Sequence, residues 1–356
     1  MATLAPGTKI DERDRASPAR SFVDRTVGAV RRCGNRTISS RSLSCTDDFP
    51  FVPGGMARVS APEGVRATAL LTAYARAQES ARPDRLFDDP LARLFVAEAT
   101  AFTGDGLPRV GMAREHDGSP VWQAVSSYFS GRVPFYDEHV LRAVRAGARQ
   151  LVLLGANLDT RAYRLGLPED TTVFELDSSS VLEFKRAVLT RHGARPTCRR
   201  VPVPAALRAG WPEDLLGAGF APEEPVVWLA EGLLAYFTTA DSDQLLAGIS
   251  KHSRGPAWLV SDYPQGPVDP QLIITCATDE AERMSAMMMA DLVRRGPDVT
   301  PEKWVGRHGW TAEVTDLTAQ LRHHGRPFPN AFADATTHPV PVWLFSATRD
   351  AGPLTG

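Results

Sequence analysis

The chain reads as an α/β protein built on a doubly wound, mostly parallel sheet. Three observations predict this. Gln150-Leu151-Val152-Leu153-Leu154 is a short apolar run closed by Gly155-Ala156-Asn157, the pattern of a strand buried on both faces. A second strand, Thr171 to Asp177, follows after a short helical stretch and ends on a carboxylate 22 positions beyond Gly155. From there to Asp262, strand-like and helix-like segments alternate, and such alternation builds a parallel sheet with helices on both faces.

Taken in order, residues 1–55 differ from the rest: they hold many Arg and Ser, with acidic clusters such as Asp11-Glu12-Arg13-Asp14. Few apolar residues recur at a regular spacing, so this segment is expected to be a disordered extension. Pro53-Gly54-Gly55 breaks the chain before Met56, which is the expected native start. Residues 56–147 read as a helical cap. Ala67 to Ala77 is rich in helix formers with one apolar face. Asp89 is a candidate N-cap with Pro90 at the first helical position. Trp122 to Phe129 and Pro134 to Ala146 give two more helices, the second expected to carry Asp137 and Glu138 in its first turn.

Residues 148–265 hold the core strands. Arg161 to Leu165 starts a short helix and Val181 to Arg191 a longer one. Cys198 to Val203, Pro225 to Ala230 and Ala257 to Asp262 read as strands, with a helix over Asp241 to Ser250. Residues 266–310 read as a helical lid insertion. Residues 311–356 carry the C-terminal strands, the last at Val340 to Ala347. Within the lid, Met284, Met287 and Met288 fall on one helical face; they suit either core packing or a pocket for a flat apolar substrate.

Composition narrows the function. Of the 356 residues, 43% are hydrophobic and 23% charged, with a formal net charge of −2. Nothing there calls for a nucleic-acid partner, and no apolar run approaches the roughly 18 residues that span a membrane. Cys33, Cys45, Cys198 and Cys276 are scattered, without a spacing suited to zinc. A reduced, cytoplasmic protein without a metal is the expectation.

The turn after the first strand is the candidate ligand site, because ligands of open α/β sheets bind outside the carboxyl ends of the strands. Gly155 lets backbone approach a ligand, and Asn157 tolerates positive φ. The 22-residue spacing to Asp177 is close to the roughly 20 at which a βαβ unit sets an acid on ribose hydroxyls. A dinucleotide fingerprint needs glycines where Asn157 and Thr160 stand, and Asp159 would repel a phosphate. A nucleoside ligand without phosphates fits better, and S-adenosylmethionine (SAM) is the obvious one. An ordinary βαβ unit without a ligand is the alternative.

Further residues carry a resemblance. Leu154-Gly155-Ala156-Asn157-Leu158-Asp159-Thr160-Arg161, Phe174-Glu175-Leu176-Asp177 and Leu229-Ala230-Glu231-Gly232-Leu233-Leu234-Ala235-Tyr236 are similar to motifs of the leucine carboxyl methyltransferase superfamily. So are Ala75 to Ser80, Leu86 to Ala92, Arg132 to Asp137, His308-Gly309-Trp310 and Gly325-Arg326-Pro327. The resemblance spans about 60–350 and points to the actinobacterial branch of SAM-dependent O-methyltransferases that includes polyketide-tailoring enzymes. It implies a class I, Rossmann-like methyltransferase fold. It also implies a SAM-dependent transfer to the carboxyl or hydroxyl group of a small molecule, in the setting of secondary metabolism.

Residue by residue, the resemblance implies that Gly155 lies against the methionine end of SAM and Asp177 holds the ribose hydroxyls. Arg132 is similar to the arginine that pairs with the SAM carboxylate, and Glu231 to the acid near its amino group. A surface ion pair for Arg132 and a helix-terminal acid at Glu231 are the structural alternatives. The family's adenine-contacting Asp is replaced by Ala206, leaving backbone around Leu207 to reach the base. That change motivates a second reading, a non-catalytic relative used for binding or scaffolding. Asn157 in place of a common Gly is a milder departure. No residue is singled out as catalytic; His139, His308 and Tyr236 are the ionisable groups the motifs bring near. Oligomeric state and the identity of the methyl acceptor are not legible in the sequence.

Overall fold

Seven strands form one sheet in the order β3-β2-β1-β4-β5-β7-β6 in the computed structural model. It describes residues 66–99, 120–266, 296–327 and 342–350, with single positions between 275 and 294. The strands are β1 Gln150–Leu154, β2 Thr172–Asp177, β3 Arg199–Pro204, β4 Val226–Ala230, β5 Ala257–Pro264, β6 Thr311–Asp316 and β7 Val342–Arg349. The pairings among β1 to β5 are parallel, whereas β7 runs antiparallel to both β5 and β6. The doubly wound, mostly parallel sheet expected from the alternation is therefore present, and the central β1 is where the strand order reverses.

The helices are α1 Arg66–Ser80, α2 Ala92–Glu98, α3 Pro120–Gly131, α4 Val133–Arg145, α5 Arg161–Arg164 and α6 Ser179–Arg191. After them come α7 Trp211–Gly217, α8 Thr239–Lys251, α9 Pro301–Gly306 and α10 Leu317–His323. The apolar run of β1 has a physical cause. Leu151 and Leu153 pack with α4 and α10 on one face, and Val152 and Leu154 with α7, α8 and α9 on the other. A strand covered on both sides cannot alternate polar and apolar. Residues of α1, α2 and α3 form a third cluster with Leu158 and with Phe184, Val188 and Leu189 of α6.

Element boundaries move by one to three residues from the sequence expectations, as fraying ends do. Two details are corrected. Pro90 does not open α2, which begins at Ala92 with Asp89 Oδ1 accepting from the Ala92 N–H at 3.2 Å. The first turn of α4 holds no acid, because the helix starts at Val133. Asp137 lies past it and pairs instead with Arg161 and Arg164, at 2.7 and 2.6 Å. Residues 1–55 and Met284, Met288 and Met289 lie outside the described residues, as do Cys33, Cys45 and Cys276. Met287 is helical and exposed, and Cys198 is buried and free. Among the described residues, no helix is long and apolar enough to cross a membrane.

Candidate active site

The carboxyl ends of β1, β2 and β4, with the loop after β3, converge on one place. The chain leaves β1 through Gly155 at φ 70°, and Asn157 takes φ 43°. Both values lie where side chains with a Cβ are disfavoured, with Asn among the tolerated exceptions. The turn is tied to β2 by the Ala156 N–H to the Leu176 carbonyl at 2.9 Å. The Asn157 N–H then donates to Asp177 Oδ2 at 2.8 Å, and the Ser178 N–H to Asp177 Oδ1 at 2.7 Å. Each carboxylate oxygen of Asp177 so keeps a lone pair for a further donor. Burial pushes the Asp177 pKa up, further than these backbone donors pull it down. Leu233 and Leu207 flank Gly155, 3.4 and 3.8 Å from where a Cβ there would stand.

The second half of the site is a buried lattice of arginines and carboxylates. Arg132, at the junction of α3 and α4, is 3% exposed and donates from Nε to Glu231 Oε1 at 3.2 Å. It is thus a buried group and not a surface pair. Its guanidinium lies 4.3 Å over the Tyr128 ring and bonds Asp262 at 3.3 Å. The other oxygen of Glu231 meets Arg161 Nη1 at 2.8 Å. Arg161 also holds both Asp159 and Asp137. Burial alone would raise the Glu231 pKa, but Arg161 and Arg132 outweigh it and hold the group below the usual carboxylate value. Asp159 is likewise raised by burial and pulled down to about 2 by Arg161, Lys185 and Arg76. Glu231 therefore stays ionised where a cation would meet it.

The five residues singled out in the sequence come together here: Gly155, Asp177 and Leu207 at one end, Arg132 and Glu231 at the other. Ala206 is exposed, and the tight bridge it forms with Ala209 puts no carboxylate at this position. The ionisable candidates fare differently. His139 stacks on Phe135 at 4.1 Å and bonds its backbone carbonyl at 2.8 Å, and burial lowers its pKa; its ring is engaged within α4. Tyr236 is kept protonated by burial. His308 sits in the turn that ends α9, its N–H bonded to the Val305 carbonyl. Sequence reasoning missed Asp262 and the linking role of Arg161. The one visible signal was a carboxylate at the end of the mostly apolar run Ala257 to Asp262.

The residues suit a nucleoside carrying an amino-acid arm. A doubly accepting acid stands at β2, an open turn at Gly155, and a buried Arg–Glu pair offers complementary charges for a carboxylate and an ammonium. The Asp159 carboxylate lies just beyond the turn, where it would repel a phosphate.

Comparison with known proteins agrees. Residues 69–250, just over half the chain, match the family described as leucine carboxyl methyltransferase. A protein of Mycobacterium ulcerans (strain Agy99), named "Putative S-adenosyl-L-methionine-dependent methyltransferase", is 39% identical over 314 residues. The match covers 81% of this chain and 96% of that protein. A relative of the same description from Parafrankia sp. (strain EAN1pec) is 36% identical over 290 residues, covering 81% of this chain and 88% of its own length. Among solved structures, one described as a "putative methyltransferase" from Thermobifida fusca YX gives a TM-score of 0.44 at 15% identity, covering 80% of this chain and 94% of the other. That likeness is too loose to carry the assignment.

Proposed function

Because this chain belongs to the leucine carboxyl methyltransferase family and is a SAM-dependent methyltransferase, we propose that it methylates an oxygen of a small molecule, on a carboxyl or hydroxyl group. The observation that carries the reading is the joining of Asp177 to the Gly155 turn, with the Arg132–Glu231 pair at the end of the neighbouring strand.

In this reading Asp177 accepts the two ribose hydroxyls with its remaining lone pairs. Arg132 meets the carboxylate of the amino-acid arm and Glu231 its ammonium. Gly155 lies along the methionine end and Leu207 along the base. SAM supplies a methyl group already activated by its sulfonium. What the chain contributes is orientation, since displacement depends on holding the acceptor oxygen about 3 Å away and in line. The ionised Glu231 and Asp159 also favour a positively charged sulfur. Without a carboxylate at Ala206 the adenine amino group loses one partner, which costs about 0.5–1.5 kcal/mol. Affinity is reduced several-fold, not abolished.

A carboxyl acceptor is favoured over a hydroxyl. It is deprotonated at neutral pH and needs no base, whereas Tyr128, Tyr136 and Tyr236 are all held protonated by burial. The test is transfer of labelled methyl from SAM to a panel of small carboxylic acids and phenols. Mild alkali releases labelled methanol from an ester and not from an ether. Label found only on nitrogen, sulfur or carbon products would overturn the reading. Secondary metabolism is the setting we propose, and a panel drawn from aromatic polyketide acids tests it.

A further inference from the structure

Asp262 lies wholly buried in β5, one residue past the last register pair between β4 and β5, Ala230 with Ser261. There a mostly apolar strand brings a carboxylate to the loop following β4. Its two oxygens gather donors from four separate positions. Tyr128 of α3 donates to Oδ2 at 2.6 Å, and Arg132 Nη1 approaches the same oxygen at 3.3 Å. Tyr136 of α4 donates to Oδ1, which also accepts from the Gly232 N–H at 2.7 Å. A buried carboxylate with four donors is fully satisfied, so the arrangement is a fixed joint between the helices and the sheet.

The joint determines where Arg132 can be. Its guanidinium packs on Gly232: a Cβ on that residue, which has φ 61°, would lie 2.7 Å from both Nη atoms. The Tyr128 ring supports the guanidinium from another side. Asp262 holds the Gly232 N–H and the Tyr128 hydroxyl as well as Arg132 itself, so it fixes both surfaces of this seat. Glu231 precedes Gly232 and shares Arg132, so the same seat sets the acid.

We propose that Asp262 is the positioning residue for the amino-acid arm of the cofactor: it seats Arg132, and through Gly232 aligns Glu231, without touching the ligand. The proposal rests on the reading that Arg132 meets the carboxylate of that arm. It specifies a ligand-dependent effect. Loss of Asp262 weakens ligands that carry the arm and spares those that lack it.

The test compares S-adenosylhomocysteine with 5′-methylthioadenosine by calorimetric titration. Both are thioethers of adenosine, and only the first has the amino-acid arm. Asp262→Asn is expected to weaken S-adenosylhomocysteine at least about tenfold, through loss of a charge-assisted anchor. Binding of 5′-methylthioadenosine is expected to stay within about twofold, because the ribose and base contacts lie elsewhere. Arg132→Gln is expected to show the same selectivity. The double variant is expected to be no more than about twofold worse than Arg132→Gln alone, since coupled sites do not add. If Arg132→Gln is selective and Asp262→Asn is not, the proposal is overturned and the reading of Arg132 stands. If Arg132→Gln is not selective, that reading falls and the proposal with it. Full additivity of the two losses overturns action through Arg132. Should Asp262→Asn fail to fold, Tyr128→Phe keeps the ring under the guanidinium and removes one donor. An unchanged ratio of the two affinities in that variant overturns the proposal as well.

Discussion

Asp177 is the residue whose surroundings speak most directly to ligand binding. Its oxygens are fixed by the Asn157 and Ser178 N–H groups, so its side chain needs no reordering to accept two hydroxyls. Asp177→Ala is expected to weaken SAM at least about tenfold, since two charge-assisted hydrogen bonds vanish; calorimetric titration measures this. The raised pKa adds a pH dependence. Ribose hydroxyls donate to the ionised form, so affinity falls as pH drops through a value above that of an ordinary aspartate, and Asp177→Asn is expected to remove that step. Asp159 has the opposite sign. Its pKa falls from 3.8 to about 2 on folding, so its stabilisation is present above the unfolded value and lost as pH falls from about 4 to about 2. About 2 kcal/mol is at stake. Asp159→Asn is expected to flatten the acid limb of the unfolding curve in that window.

At the scale of elements, β2 and α6 share a buried ionic triad. Glu175, wholly buried in β2, pairs with Lys185 of α6 at 2.9 Å and with Arg200 of β3 at 2.6 Å. Burial lowers the Lys185 pKa, more than Glu175 raises it. Removing one partner of such a set leaves a charge without compensation. Glu175→Leu is therefore expected to cost about 3–5 kcal/mol in urea unfolding. Adding Lys185→Met in the same chain is expected to recover part of that loss, because the stranded ammonium goes with it while Arg200 still lacks its carboxylate. A double variant no more stable than the single would show that packing, not charge, dominates the site. Glu175 also shows what a strand pattern hides. Its carboxylate lies in a strand yet faces a helix rather than water.

Across the whole molecule, Arg326 closes the fold. It follows α10 and bonds Glu79 near the end of α1 at 2.8 Å and Asp84 at 2.6 Å. The two ends of this contact are 247 residues apart in the chain. Glu79 also accepts from the Leu86 N–H at 2.7 Å, so one latch orders the loop leading to α2. Three motifs that the resemblance brought forward, at Ala75 to Ser80, Leu86 to Ala92 and Gly325 to Pro327, meet in this latch. Arg326→Ala is expected to lower the urea midpoint while SAM affinity changes by less than about twofold, because the cofactor residues lie on other elements. A matching loss of affinity would place the latch in the binding machinery.

How far the sequence goes can be judged from particular residues. Period and composition determined the sheet, its central strand, the turn at Gly155 with its positive φ, and the acid ending β2, because each is a local consequence of which side chains a buried strand or a left-handed turn accepts. The grouping of Arg132 with Glu231, 99 positions apart, was legible only through resemblance. The joint around Asp262, with donors 30 to 134 positions away, was not legible beyond the carboxylate itself, nor were the partners of Glu175 or the engagement of His139 within its own helix. A charge at the end of an apolar strand looks the same in sequence whether it meets water or four donors. Only the packing of α3 and α4 against the end of β5 decided which, since burial is tolerable for a carboxylate only when that packing brings the donors to it.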